Sequence, residues 1–158
     1  EADPTADLSG MDTLRKIMLI SMVAYDVLPN SDCSVEGIQS ISASDFVVAR
    51  ELNCTVRLIG KCGLAASGRL FAYVQPVLCP LSDLFAGVRA NTNLAQYQGL
   101  NSGLMGFFGQ GAGRYPTASA VLRDVSSVLS GQKQMLKDNC LVGFACNDSA
   151  ECLRSFFV

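Results

Sequence analysis

The hydrophobic period of the chain changes near Cys54, and this change limits the fold class more than any other feature of the sequence. Before it, apolar residues recur at helical spacing from Leu14 to Leu28. After it, short runs rich in β-branched and aromatic residues alternate with turn residues as far as Phe108. Runs of helix followed by runs of strand are typical of an α+β domain. We therefore predict an α+β fold.

Serine residues mark where the first two helices should begin. Ser9 stands just before the first apolar-periodic run, which predicts an N-cap there and a helix over 10–28. Ser42 or Ser44 is expected to cap a second helix over 45–52, which has one apolar side.

Strand patterns fill the middle of the chain. Residues 60–68 are glycine-rich and predict a turn, whereas Pro76 and Pro80 predict that the second strand ends at a sheet edge or leaves the sheet. Glycine, asparagine and serine residues near position 101 predict a hairpin turn between the last two strands. The predicted strands cover 55–59, 69–78, 91–98 and 104–108.

The composition argues against two classes of partner. The net charge of the 158 residues is only -2, and no basic cluster with interleaved aromatic residues occurs, so we expect no nucleic acid partner. No apolar run reaches the roughly 18 residues that span a bilayer, so we expect no membrane partner.

The chain has seven cysteines and no histidine. An odd number of cysteines in apolar surroundings is typical of reduced, buried thiols, so we predict a cytoplasmic protein. Without histidine, a zinc site or a histidine-based catalytic pair is not expected. The even spacing of Cys140, Cys146 and Cys152 gives three thiols without a fourth ligand, so we assign no metal residue.

Asp12 and Lys16 stand four residues apart near the start of the first helix. This spacing places an acid and an amine on one helix face, one turn apart, with the acid toward the N-terminus where the helix dipole favours it. Such a pair is most often a solvated surface ion pair worth a few tenths of a kcal/mol. The alternative is a functional pair, and spacing alone leaves both interpretations open.

A glycine-rich segment follows the last predicted strand. Gly109, Gly111 and Gly113 alternate along it, and a helix with Pro116 in its first turn comes next. Alternating glycines let a backbone pass close to a flat or charged group, although such a segment is often only a tight connection. It does not match the dinucleotide-binding fingerprint, because its sixth position is Arg114 and no acid-terminated strand follows.

Several stretches together resemble one family. GQGAGRYPTASAVLRD resembles the signature that closes the catalytic domain of homoserine dehydrogenases, and EADPTADLSGMDTLRK resembles the segment that opens it. Between them, VEGIQSISASDFVVARELNCTVRLIG and YVQPVLCP are similar to the family's pattern. The resemblance covers 1–131, which it identifies as a catalytic and dimerisation domain, and leaves 132–158 as an extension of unknown role. It implies an α+β fold with a mixed, mostly antiparallel sheet and helices packed on one face.

The resemblance also implies an activity and a set of substrate residues. Homoserine dehydrogenases interconvert aspartate 4-semialdehyde and homoserine with NAD(P)(H), in the pathway to threonine and methionine. Lys16 would exchange a proton with the substrate oxygen, Asp12 would orient Lys16 and bind substrate, and Glu1, helped by Asp7, would hold the substrate amino group. These residue types suit a substrate that carries an ammonium group and develops negative charge on oxygen, and burial can lower the pKa of a lysine toward neutrality.

For the cofactor, the resemblance implies that Gly113, and more loosely Gly111 and Gly109, lie against NAD or NADP. The family's N-terminal Rossmann domain, which binds most of the cofactor, does not lie in this sequence, nor does its monovalent-cation loop. We therefore expect this chain alone to be inactive. The resemblance further implies a homodimer through the sheet, with strands 69–78 and 91–98 as candidates. Two alternatives stay open: a non-catalytic dimerisation or regulatory module, and an NAD(P)-dependent dehydrogenase of another amino-acid-derived substrate.

Overall fold

The computed structural model describes residues 3–29, 33–65, 67–132 and 141–143. Its α-helices and strands confirm the predicted α+β class. The helices are α1 (Thr5–Leu8), α2 (Met11–Tyr25), α3 (Ala43–Glu51) and α4 (Arg114–Leu129), with a 3-10 helix at Leu84–Gly87. The strands are β1 (Val27–Pro29), β2 (Ser34–Val35), β3 (Cys54–Leu64), β4 (Leu70–Pro80), β5 (Thr92–Gly99), β6 (Gly103–Gln110) and β7 (Leu141–Gly143).

The chain divides into two compact units, and one boundary between them falls in the sequence between Leu78 and Cys79. The first unit holds α1 to α3 and most of the three-stranded sheet, and it also includes β7. The second unit holds the β5–β6 hairpin and α4. In the part of the chain that the structure describes, none of the helices combines the length and the hydropathy of a membrane span.

In the first unit, α2 packs against β3 at a glycine. A Cβ at Gly60 would lie 2.5 Å from Ile17 Cγ1 and 2.8 Å from Thr13 Cγ2, so only glycine allows the helix to come this close. Ile17 is buried on the helix side of this contact, and Val74 of β4 is fully buried. The side of α2 that carries Thr13 and Ile17 is therefore held by direct packing on the sheet.

The strand order of the main sheet is β2-β4-β3. β2 runs parallel to β4, with Ser34 opposite Tyr73 and Val35 opposite Val74. The predicted edge or exit at the prolines is wrong, because β4 is the central strand and contains both Pro76 and Pro80. The described pairing with β2 ends at Val74, so on that side neither proline needs an N–H to donate.

The predicted turn over 60–68 was too long. β3 continues to Leu64, and only residues 65–69 connect it to β4. Gly60 and Gly63 lie in the second half of β3, where each allows a close contact instead of forming a turn. Gly60 lies under α2, and a Cβ at Gly63 would lie 2.8 Å from Cζ of Phe71. A glycine inside a strand commonly marks such a close approach.

Ser42 caps α3, as predicted. Its N–H and its hydroxyl both donate to Asp45 Oδ2 at 2.7 Å, and these bonds hold the pKa of Asp45 below its usual value.

Two further features belong to the first unit. β1 pairs in parallel with β7, so the extension beyond residue 131 contributes a strand. Burial raises the pKa of the Cys62 thiol, and the Ser21 hydroxyl opposes this shift in part.

The second unit is built on an antiparallel hairpin. β5 and β6 pair without interruption from Thr92 opposite Gln110 to Gly99 opposite Gly103, which confirms both predicted strands and the turn between them. Phe107 and Phe108 point to opposite faces of the hairpin, and both are largely exposed. An apolar cavity of about 350 Å³ lies on the Phe108 face, lined by Leu84, Gly87, Leu94, Gly106 and Phe108.

Candidate active site

The predicted acid–amine pair forms on α2. Lys16 Nζ lies 2.7 Å from Asp12 Oδ2, and the two side chains are 53% and 38% exposed. Spacing of four residues on a helix brings the two groups together, as the sequence predicted. The pair is open to solvent on the described chain, so by itself it stabilises the helix by only about 0.2–1 kcal/mol.

The start of α2 differs from the prediction, because Gly10 and not Ser9 is its N-cap. Ser9 closes the short helix α1 instead, and its hydroxyl donates to the Ala6 carbonyl. Gly10 adopts a left-handed conformation with φ +82°, and a Cβ there would lie 3.1 Å from Val74 Cγ1. Glycine is favoured here because a left-handed residue stands between two helices directly against the side chains of Val74 and Val35.

Asp7 lies on α1, just ahead of the helix that carries Asp12. Its carbonyl accepts a hydrogen bond from the Gly10 N–H at 3.2 Å, and its side chain is exposed. Asp3, four residues earlier, accepts a bond from the Thr5 N–H at 3.0 Å, and the hydroxyl and N–H of Thr5 hold the pKa of Asp3 below its usual value. Glu1, the remaining predicted substrate residue, lies outside the described residues.

A contact that sequence reasoning missed holds α1 in place. The Ile38 N–H donates to the Leu8 carbonyl at 2.8 Å. Gly37 lies so close to this carbonyl that a Cβ would overlap it. The signal in the sequence was the Glu-Gly-Ile pattern at 36–38, whose glycine marks a close backbone approach. Gly37 therefore helps to place the segment that carries Asp7.

The glycine-rich segment forms the predicted strand, turn and helix in the second unit. β6 ends at Gln110, and α4 begins at Arg114 with Pro116 in its first turn. Gly113 is the N-cap residue, with φ +116°, a conformation that residues with a Cβ rarely adopt. The predicted glycine-rich segment, whose backbone carries few side chains, therefore directly precedes a helix.

The surface at these glycines suits a large planar or charged group. A Cβ at Gly109 would meet no atom within 4 Å, so no packing requires glycine there. Gly109, Gly111 and Gly113 are all exposed, and the N-cap of α4 has no side-chain hydrogen bond. Unpaired N–H donors at a helix start attract negative charge, which is compatible with a dinucleotide phosphate.

Comparison with known proteins relates this chain to one protein family. The model of the homoserine dehydrogenase family matches residues 1–126. A homoserine dehydrogenase of Mycobacterium leprae is 39% identical over 141 residues, which cover 86% of this chain and 32% of that protein. A homoserine dehydrogenase structure from Thiobacillus denitrificans superposes with a TM-score of 0.81 at 29% identity, over 91% of this chain and 36% of that one. An S. aureus homoserine dehydrogenase structure gives a TM-score of 0.74 at 33% identity, over 82% and 33% of the two chains.

The chain belongs to the homoserine dehydrogenase family. It spans about a third of the length of the curated relatives it matches. The matched region contains the Asp12–Lys16 pair and also Gly109, Gly111 and Gly113.

Proposed function

We propose that the protein containing this chain interconverts L-homoserine and L-aspartate 4-semialdehyde by hydride transfer with NAD or NADP, as a cytoplasmic enzyme of threonine and methionine biosynthesis. The observation that carries the proposal is the 2.7 Å pair of Lys16 and Asp12, placed within the region that matches the family. Residues 1–131 would form its catalytic and dimerisation domain, with 132–158 as an extension.

Lys16 is the residue that moves the proton. In the reduction of the aldehyde, negative charge develops on the carbonyl oxygen, and the Lys16 ammonium stabilises this charge and donates a proton to it. In the oxidation of homoserine, the same nitrogen accepts the proton of the hydroxyl. Asp12 holds Lys16 Nζ in place through its carboxylate, and the exposure of both groups leaves them accessible to a substrate.

Carboxylates supply the rest of the substrate site. The substrate carries an α-ammonium group, which a carboxylate binds by a charge-assisted hydrogen bond. We assign this role to Glu1, with help from Asp7 on the segment that Gly37 and Ile38 hold in place. Asp12 also contacts the substrate, since its second carboxylate oxygen is available beside the Lys16 pair.

The glycines of the turn form one side of the cofactor site. When bound, NAD or NADP supplies or takes up the hydride at the substrate carbon. Gly109, Gly111 and Gly113 let the backbone lie against the dinucleotide. The N–H groups at the start of α4 attract the negative charge of its phosphates. No metal residue is part of this proposal.

Replacing Gly109 with alanine tests this cofactor contact. The new methyl group meets no protein atom within 4 Å, so we expect the free energy of unfolding to change by less than about 0.5 kcal/mol. If the dinucleotide lies against this backbone, its KM should rise several-fold while the KM for homoserine stays the same. Gly106→Ala on the same strand is the matched control, because its nearest neighbour would be Leu94 Cδ1 at an ordinary 3.8 Å. Equal KM values for both variants and the wild type would remove Gly109 from the site.

The direct test of the proposed function is an assay of the full-length protein. NAD(P)H formation with L-homoserine is expected, and its absence with either cofactor would refute the proposal. The chain of 158 residues is expected to show no turnover by itself. Homoserine oxidation by the purified chain would contradict that expectation.

We also infer a homodimer that forms through the sheet. The β5–β6 hairpin supports it, because Tyr97, Phe107 and Phe108 are 51%, 65% and 73% exposed. Tyr97 and Phe107 share one face of the hairpin and Phe108 lies on the other, and exposed aromatic side chains are enriched at interfaces. Light scattering is expected to give twice the monomer mass, and substituting Phe107 or Phe108 with serine is expected to shift the mass toward the monomer. A wild-type monomer at high protein concentration would contradict the inference.

A non-catalytic dimerisation or regulatory module is the second candidate. The observation in its favour is the exposure of the Asp12–Lys16 pair, which an ordinary surface ion pair shares. The two candidates differ in what they expect of Lys16: the module predicts no change in activity when this side chain is removed.

A further inference from the structure

Asn91 connects the start of β5 to the glycine-rich turn. Its side-chain Nδ2 donates a hydrogen bond to the Ala112 carbonyl at 2.7 Å, across 21 positions of sequence. Its own carbonyl accepts a bond from the Gly111 N–H at 2.9 Å. One residue therefore holds both the entry and the middle of the turn.

The glycines of the turn pack against the side chains of two asparagines, Asn91 and Asn93. Asn91 Nδ2 would lie 3.5 Å from a Cβ placed on Gly113. The side-chain amide of Asn93 fills the space where a Cβ of Gly111 would stand. Gly111 thus lies directly beside the side chain of Asn93 in β5, and Gly113 beside that of Asn91, just before β5.

A turn of this composition needs such a support. Glycine loses more backbone entropy on ordering than any other residue, and two of the three residues between β6 and α4 are glycines. Gly113 also begins α4 without a side-chain cap. The bond from Asn91 to the Ala112 carbonyl is a side-chain contact from outside the turn that limits its conformations.

We propose that Asn91 is a positioning residue for the dinucleotide: it holds the backbone of 111–113 in the shape that binds the cofactor. This inference rests on the proposed function of the turn. Asn91 acts through the Ala112 carbonyl, so it lowers the entropy cost of binding without touching the reacting atoms.

Kinetics of the full-length protein test the inference. Asn91→Ala removes one hydrogen bond, so the KM and Kd for NAD(P)+ should rise by about 2- to 10-fold. The KM for homoserine and kcat at saturating cofactor should stay unchanged. Asn91→Asp keeps the shape but cannot donate to the Ala112 carbonyl, so it should behave like Asn91→Ala. Wild-type cofactor KM in either variant would overturn the inference.

Asn101→Ala is the matched control. Asn101 is an exposed asparagine in the turn at the other end of the same hairpin. We expect this variant to keep the wild-type KM for both substrates. If it raised the cofactor KM as much as Asn91→Ala does, the effect would belong to the hairpin as a whole, and the specific role of Asn91 would be wrong.

Hydrogen exchange separates this inference from the proposed function. In Asn91→Ala, the amides of 109–114 should exchange about 2- to 10-fold faster without any cofactor, whereas in Asn101→Ala they should not. Unchanged exchange in Asn91→Ala would overturn the positioning role even in an active enzyme. Faster exchange in a protein that lacks homoserine dehydrogenase activity would refute the proposed function and with it the role toward a dinucleotide.

Discussion

Replacing Lys16 with alanine in the full-length protein is expected to lower kcat for homoserine oxidation by about 10²- to 10⁴-fold, the usual contribution of a positioned proton-transfer group. Lys16 Nζ lies 2.7 Å from Asp12 Oδ2 and its side chain is half exposed, so the substitution removes the group that accepts the hydroxyl proton without opening a cavity. The pair is worth at most about 1 kcal/mol to stability, so the variant should fold. Initial rates with saturating homoserine and cofactor measure the effect.

Two further substitutions show whether proton transfer is the cause. Lys16→Arg keeps the positive charge and a partner for Asp12, but a guanidinium does not release its proton near neutral pH, so the loss in kcat should approach that of alanine. Arg15→Ala removes a neighbouring exposed positive charge on the same helix and should leave kcat within about twofold, since exposed charges contribute little. Full activity of Lys16→Ala would instead favour the non-catalytic module.

The second large effect is expected at Gly60. A Cβ there would lie 2.5 Å from Ile17 Cγ1 and 2.8 Å from Thr13 Cγ2, and Ile17 is buried. Gly60→Ala should therefore lower the free energy of unfolding by about 1–3 kcal/mol, the usual cost of overpacking a core, and Gly60→Val should lower it further. Urea unfolding of the chain measures the change.

Gly87→Ala provides the control for this prediction. A Cβ at Gly87 would meet no atom within 4 Å, so its free energy of unfolding should stay within about 0.5 kcal/mol of the wild type. Because Thr13 and Ile17 each follow a residue of the Asp12–Lys16 pair, Gly60→Ala should also lower kcat in the full-length protein. A Gly60→Ala chain as stable as the wild type would show that α2 does not pack on β3 in this way.

Much of the fold followed from local patterns. The helical period after Gly10 predicted α2, although α2 ends at Tyr25 and not at residue 28. Ser42 was one of two predicted caps for α3, which begins at Ala43, two residues before the predicted start. The turn residues near Asn101 predicted the hairpin that β5 and β6 form. These elements depend on residues close in sequence, whose propensities and hydrogen bonds act within a few positions.

The errors have one common cause. Serine is a preferred N-cap residue, which favoured Ser9, but the N-cap is Gly10, one residue later, where the backbone lies close to Val74. Residues 60–64 have the composition of a turn, but Ile17 and Phe71 lie over Gly60 and Gly63 and keep them in a strand. In each case the local sequence is compatible with two conformations, and a contact with a residue distant in sequence selects one of them.

The sequence by itself determined the class of the fold, the pairing of Asp12 with Lys16 and the bare turn ahead of α4, because each arises from spacing along one or two elements. Only the tertiary structure decided which glycines are required for packing and which are open, and that Asn91 supports the turn at Ala112. The physical reason is that the sequence shows where a glycine stands but not what occupies the space of its absent Cβ. Its role depends on the atoms that fill the space beside it, and those atoms come from distant parts of the chain.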